Sequence, residues 1–292
     1  MDVIVLFNGL GNQMSQYAFY LQKERLHRSV ECISFCKDHN GLELDRLFGI
    51  NLNSSLRRRI LYVLFRILLT NRGWVVGRGL RWVLRRLDCK IVKENFNYEF
   101  CEKYLNPSKG ITFYFGGWHS ENYFSPIREE VIDTFGFPAV DDVDNLALVE
   151  EIVSSTSVAL HVRRGDYLSE SNISLFGGVT TIEYFQKAIK LLESQVKDCH
   201  FFIFSNDMEW VKRNLHIPRV TYVSTNKGKD SWKDMYLMSI CKHNIISNST
   251  FSWWAAWLNT NPDKIVICPS RFLNADLTSA IYPETWQKVF NY

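Results

Sequence analysis

Seven consecutive residues, His161-Val162-Arg163-Arg164-Gly165-Asp166-Tyr167, put an imidazole, two guanidiniums and a carboxylate into the span of one loop. Arginine offers a planar fork of donors that matches phosphate oxygens. The apolar run at 157–162 ahead of the loop is β-rich, and strand alternation places His161 and Arg163 on one side with Arg164 opening the loop. Taken alone, the cluster could equally be an internal ion-pair knot. Two further turns sharpen it. Asn248, Ser249 and Thr250 precede an apolar helical stretch, where they would cap the helix and leave backbone amides open to an anion. Phe204-Ser205-Asn206-Asp207 ends another apolar run, and its carboxylate could accept from a nucleobase or ribose, or simply cap the next helix. Near the start, Gly9-Leu10-Gly11-Asn12-Gln13 is a strand-to-helix turn that brings amides and two neutral side-chain donors to one point. Met14 stands where a dinucleotide fingerprint needs its third glycine, which argues against a nicotinamide cofactor. The three donor- or acceptor-rich turns at 163–166, 204–207 and 248–250, which would share one sheet edge, suggest a nucleoside diphosphate site.

The elements that would position these turns alternate. Residues 3–7 and 30–35 read as strands with a helix at 14–26 between them, and 90–92 and 112–115 as further short strands. Gly136, Pro138 and the acidic run Asp141-Asp142-Val143-Asp144 mark a domain boundary. Beyond it, strands at 157–162, 201–204, 220–223, 244–247 and 264–268 alternate with helices at 182–195, 208–214, 230–241 and 251–258. This order predicts parallel sheets covered by helices on both faces, an α/β chain of two domains at 1–140 and 141–292. The 292 residues are ample for two cores.

Composition excludes several classes. A chain with 46% hydrophobic and 22% charged residues is not disordered, and no apolar stretch is long enough to span a bilayer. The seven cysteines are odd in number and scattered, without a CxxC, as expected of reduced thiols in a cytoplasmic protein. The opening residues read as a strand, not a signal peptide. No Walker A, HExxH or GxSxG pattern occurs, and Cys36 and His39 lack further ligands nearby. Asp142-Val143-Asp144 is formally a DxD, but it precedes a helix instead of following a strand and reads as a solvated helix start. No metal site is expected.

Charge is unevenly spread. The segment 57–87 holds nine arginines and no acidic residue, interleaved with Leu, Ile, Val, Phe and Trp. Removing these nine from the 34 basic residues leaves 25 against 31 acidic ones, so the rest of the chain is net negative. The mixture suits amphipathic helices with arginines along their edges. Either the apolar face packs on the N-terminal domain and the arginines are solvated, or the segment lies on an anionic membrane. Nucleic-acid binding through Arg57–Arg86 is the competing class, and it predicts salt-sensitive DNA or RNA binding without sugar chemistry.

With these residues in view, the sequence resembles the α-1,2-fucosyltransferases, inverting enzymes marked by an HxRRGDY motif. The matching segments are 161–167, the opening 9–13, 204–207 and the block Asn248-Ser249-Thr250-Phe251-Ser252-Trp253-Trp254, with weaker agreement at 42–45 and 117–124. The 57–87 segment is outside the resemblance. The resemblance implies two facing Rossmann-like domains of the GT-B type, the donor being bound mainly by the C-terminal one. It implies GDP-L-fucose as donor, a galactose-terminated or lipid-linked glycan as acceptor, and no cofactor, metal or nucleic-acid partner. Within it, Arg163 is the expected phosphate clamp and His161 its orienting neighbour. Asn12, Gln13, Asp207, Asn248, Ser249 and Thr250 are expected to bind the donor. Asp166 is the expected general base, or else an ion-pair partner of the arginines, with Glu170, Glu121 and His119 in reserve. The alternative is a transferase for another nucleotide sugar.

Overall fold

The computed structural model describes residues 1–27, 29–52, 55–70, 75–95, 97–170, 172–274 and 280–290, without the side chains of residues 75–77 and 166. The chain divides into two compact units, Met1–Phe137 and Pro138–Tyr292.

The first unit runs β1 (Asp2–Leu6), α1 (Leu10–Leu26), β2 (Val30–Ser34), α2 (Leu44–Phe48), α3 (Leu56–Leu69), α4 (Val75–Arg86), β3 (Cys89–Lys93), β4 (Ile111–Phe115) and α5 (Arg128–Thr134). Its four strands are parallel in the order β2-β1-β4-β3. β1 is buried along its whole length, as a central parallel strand must be when helices cover both faces. Its alternate residues Val3 and Val5 join Ile33 and Phe113 in a core closed by Leu61 and Phe65 of α3 and Leu84 of α4. The arginine-rich segment is thus no appendage. It forms the crossover between β2 and β3, and its inner stripe completes the core. Arg72 and Trp74 lie outside the described residues.

The opening turn differs from its reading as a run of glycines and polar residues at 9–13. The reversal is made by Asn8, in the left-handed region at φ 63°, and Gly9 is extended with φ −78°. Asparagine tolerates that conformation well. The helix therefore begins at Leu10, and Asn12 and Gln13 belong to its first turn.

The second unit runs α6 (Val143–Val153), β5 (Thr156–Val162), α7 (Ile173–Phe176), α8 (Ile182–Glu193), β6 (Cys199–Ser205), α9 (Met208–Asn214), β7 (Val220–Val223), α10 (Trp232–Ile240), β8 (His243–Ile245), α11 (Thr250–Leu258), β9 (Val266–Pro269) and β10 (Gln287–Val289). Six parallel strands follow the order β10-β9-β8-β5-β6-β7. On one face Val158, Leu160 and Val162 pack with Phe201, Ile203 and the buried side of α8. Ala159 and His161 point the other way, and the His161 ring lies 5.9 Å from that of Phe251 on α11. α11 has only Thr250 and Phe251 partly exposed, which its run of tryptophans and alanines requires.

Two sequence expectations move. α6 starts at Val143, so the acidic run read as preceding a helix reaches into its first turn, where Asp142 caps it by accepting from the Asn145 amide at 2.9 Å. The same carboxylate pairs with Lys233 at 2.8 Å, so the first carboxylate of the formal DxD is a cap and an ion-pair partner. β10 was not anticipated. It has three residues and owes its form to pairing with β9.

Candidate active site

The order of the second sheet fixes where a ligand would sit. From β5 the chain builds outward through β6 to β7, then returns to the other side of β5 with β8. The switch point is between β5 and β8, and open α/β sheets bind ligands at the carboxyl edge of such a crevice. That edge holds the loop from Arg163 on the β5 side and Ser247–Thr250 on the β8 side. His161, Arg163 and the Asn248–Thr250 turn, all singled out by type, meet there.

His161, near the end of β5, is buried, and its Nδ1 is 2.9 Å from the Ser247 Oγ across the strand pair. Burial first, and the neighbouring Arg163 charge second, push its pKa down to about 3, so the imidazole is neutral near pH 7. Neutral His161 ties the β5 edge to the β8 turn. Arg163 is half-buried, with its guanidinium 5.7 Å from the centre of the Tyr167 ring. Tyr167 is held in turn: it stacks on Phe176 at 4.7 Å and donates to the Asn248 carbonyl at 3.0 Å. The motif tyrosine, given no role from sequence, is the platform that links the arginine to the Asn248 turn.

The neighbouring arginine is committed elsewhere. Arg164 Nε reaches Asp207 Oδ2 at 3.4 Å, and its guanidinium lies 4.0 Å from the Trp210 ring centre. Asp207 also caps α9 by accepting from the Trp210 amide at 3.2 Å. Asn206 Oδ1 accepts from the backbone amides of Arg164 and Gly165 at 3.0 and 3.3 Å, fixing the loop after β5. A Cβ on Gly165 would come within 2.6 Å of that Asn206 amide, so the close approach needs glycine.

The Asn248 side chain is internal. It donates to the Phe176 and Phe272 carbonyls at 3.2 and 3.0 Å and accepts from Thr180 at 3.4 Å. Ser249 caps α11 through its bond from the Phe251 amide at 3.4 Å, and Thr250 opens the helix. What this turn presents to a ligand is backbone, at a helix N-terminus where partial positive charge collects. The Asp166 side chain lies outside the described residues. Glu170 is exposed on the same loop.

In the first unit the expected donor Gln13 is buried and saturated. Its Nε2 donates to the Asn8 and Gly41 carbonyls, both at 2.8 Å, and its Oε1 accepts from the Glu43 amide at 2.9 Å. It clamps the opening turn to the 41–43 loop, and Asn12 beside it is half-buried. Of the reserve bases, Glu121 is half-buried in a 3-10 turn, and His119 is buried with Nδ1 2.9 Å from Ser15 Oγ. Burial pushes the His119 pKa down to about 3.

Glu94, which follows β3, carries no signal in the sequence. Its Oε2 accepts from the Gly117 and Trp118 amides, both at 2.7 Å, while Oε1 is buried without a hydrogen-bond partner. Trp118 itself is left-handed at φ 55°, a conformation that costs about 1 kcal/mol or more in a non-glycine residue. A Cβ on Gly116 would come within 2.5 Å of Glu94, and one on Gly117 within 2.4 Å of His119. The glycines allow the loop to wrap a carboxylate, and burial pushes that carboxyl up to about 7 despite its two donors. The raised value sets a sign. The unfolded chain loses this proton near the ordinary glutamate pKa and the folded chain only near pH 7, so the stability it confers is complete at low pH and is lost as pH rises through 7. Glu94→Gln removes the titration. The wild-type stability relative to the variant is expected to fall by roughly 3 kcal/mol between pH ~4 and pH ~8. Urea midpoints across that range would read it, and parallel curves would contradict it.

A sequence profile described as "Glycosyl transferase family 11" matches residues 95–289, two thirds of the chain. The chain belongs to glycosyl transferase family 11. It is 30% identical to an α-1,2-colitosyltransferase of Escherichia coli over 99% of both chains. It is 29% identical to the O-antigen biosynthesis glycosyltransferase WbnK of Escherichia coli over 96% of this chain and 98% of that one. Human galactoside α-(1,2)-fucosyltransferase 1 is 35% identical over 105 residues, 35% of this chain and 29% of the human one. Among solved structures, the fucosyltransferase NodZ from Bradyrhizobium superposes with a TM-score of 0.51 at 14% identity, covering 87% of this chain and 91% of that one. That likeness is one of fold. It agrees with two parallel-sheet Rossmann-like domains in one chain, the GT-B class expected from the sequence.

Proposed function

We propose that this family 11 transferase moves L-fucose from GDP-β-L-fucose to the 2-hydroxyl of a terminal galactose, forming an α-1,2 linkage with inversion. The observation that carries the reading is the β5–β8 switch point, where Arg163 on its Tyr167 platform and the N-terminus of α11 flank one crevice. Such a crevice suits a diphosphate leaving group. In the reaction the galactose O2 attacks the fucose anomeric carbon from the face opposite GDP. The bond from that carbon to the β-phosphate oxygen breaks, and its electron pair leaves on GDP. The hydroxyl proton passes to a base, for which Asp166 is the choice on the same loop.

Arg163 takes up the negative charge that grows on the β-phosphate, assisted by the amides of 248–250. His161 and Asn248 hold that geometry from inside. Asp207, which caps α9 and pairs with Arg164, fixes the loop beside the guanosine. With arginine and helix N-termini in this role, no divalent metal is required. The α-1,2-colitosyl activity in the name of a relative 30% identical to this chain supports a second donor, the GDP sugar of colitose, a 3-deoxy analogue of fucose.

The test is turnover of GDP-fucose and of GDP-colitose against lactose, N-acetyllactosamine and galactosyl-N-acetylgalactosamine, with and without excess EDTA. Transfer from GDP-fucose that persists in EDTA is expected. Transfer from the colitose donor alone would move the assignment to that sugar, and strict dependence on added divalent cation would overturn the charge-neutralising role given to Arg163.

A further inference from the structure

We infer that the outer face of α3 and α4 is a docking surface for an anionic phospholipid bilayer, on which the transferase lies peripherally. The two helices have an inner stripe, Leu61, Phe65 and Leu84, that is buried in the core of the first unit. The far side of α3 is apolar as well, and on α4 the apolar face is wider than the part the core covers. On α3, Leu56, Ile60 and Val63 are spaced three to four residues apart and are each more than half exposed. Along α4 and just past its end, Leu80, Val83 and Leu87 repeat the spacing, flank the buried Leu84 and are 42–69% exposed. Spacing of this kind puts each trio on one side of its helix. Crossover helices of an α/β unit ordinarily turn polar residues outward; α3 instead carries a second apolar stripe, and α4 an apolar margin beside Leu84 that the core leaves exposed.

Charge states what covers it. No acidic residue occurs between Arg57 and Leu87. Glu31 takes up Arg57 and Arg58, at 3.3 Å each. Arg66, Arg78, Arg85 and Arg86 are exposed beside the stripes, and no acidic side chain pairs with them among the described residues. Trp82 is 61% exposed with the Arg86 guanidinium 5.1 Å from its ring, an amphipathic pair suited to the headgroup layer. A protein partner would have to supply acidic groups around a long apolar seam. A bilayer with anionic lipid supplies both at once, with acyl chains for the stripes and phosphates for the arginines.

The helices lie on the bilayer and do not cross it. α3 has 14 residues, about 21 Å, and contains Arg66, whereas a hydrocarbon core is about 30 Å thick. No described helix is long and apolar enough to cross. The surface belongs to the first unit alone and does not depend on which sugar is transferred.

The experiment is co-sedimentation of the full chain with vesicles of phosphatidylcholine alone and of phosphatidylcholine with about one third phosphatidylglycerol, at about 0.05 M and 0.5 M salt. Binding to the anionic vesicles is expected, weakened by salt, with little binding to the neutral ones. The triple variant Arg66→Gln, Arg78→Gln, Arg85→Gln is expected to weaken it roughly a hundredfold, each arginine contributing about a factor of five. Trp82→Ala is expected to weaken it further without altering the salt dependence. Both variants should keep the wild-type melting curve and turnover on a soluble acceptor. Equal sedimentation with neutral vesicles, no sedimentation with anionic ones at low salt, or wild-type binding by the triple variant would each overturn the proposal. So would retention on a soluble polyanion such as heparin without vesicle binding.

Discussion

The Arg163→Lys enzyme is expected to lose kcat by about 10²–10³-fold, while the protein folds and melts as the wild type does. Lysine keeps the positive charge but gives up the planar fork and its ability to lie over an aromatic face. In this chain the face is Tyr167, locked between the Phe176 ring and the Asn248 carbonyl, so the guanidinium is aimed from below. A charge that helps the diphosphate mainly as it departs acts in the transition state, so the loss falls on kcat and kcat/KM together. Tyr167→Phe is the companion change. It keeps the ring but removes the bond to Asn248, and it should give a smaller loss in the same direction. Steady-state kinetics on GDP release and glycan formation would read both. An Arg163→Lys enzyme with wild-type kcat would remove Arg163 from the reaction.

The second large effect concerns stability. Lys23 on α1 and Asp2 at the start of β1 are both buried, with Nζ 2.7 Å from the carboxylate. Nζ also donates to the Tyr104 and Asn106 carbonyls at 2.6 and 3.1 Å and lies 4.4 Å from the Tyr114 ring centre. Asp2 accepts in turn from the amide of Ser108 at 3.3 Å and from its hydroxyl. Two side chains thus fasten the first strand, the first helix and the loop leading to β4. Lys23→Met removes the only cation paired, among the described residues, with the buried Asp2 carboxylate, which keeps just its Ser108 donors, and a cost of about 3–5 kcal/mol is expected. The double variant Lys23→Met, Asp2→Leu removes both charges and should recover much of that loss. Urea denaturation of the full chain, compared across the two variants, would separate them. A single variant as stable as the wild type would show that the pair does not hold this unit together.

The fold was legible where the physics is local and repeated. Near-continuous apolar runs such as 158–162 and 201–204 are what a strand buried on both faces needs, and the helices between them have their own period. β10 was not legible, because three residues become a strand only through pairing with β9. At the site, residue type located the loops but not the duties within them. Asn248 and Gln13 look like ligand donors in sequence, yet each is filled by backbone groups from segments far along the chain. Arg163 and Arg164 are adjacent and chemically identical, and only the positions of Tyr167 and Asp207 tell them apart. Glu94 escaped notice because a lone carboxylate after a short strand has no pattern. Its meaning lies in the Gly116–Trp118 loop folded around it. The arginine-rich segment is amphipathic, as its residue pattern implies, and its inner stripe packs on the core; how many apolar residues it leaves exposed depends on the packing of α3 and α4 and was not legible.

The measurement that bears most directly on the proposed activity is the structure of the product. The chain is incubated with GDP-β-L-fucose and a β-galactoside, and the isolated oligosaccharide is examined by NMR for the position and anomeric configuration of the new bond. The account predicts a single fucose on O2 of galactose in α configuration, inverted from the donor, with one GDP released for each. Fucose on any other hydroxyl, retention of the β configuration, or GDP release without a glycosylated product would contradict it.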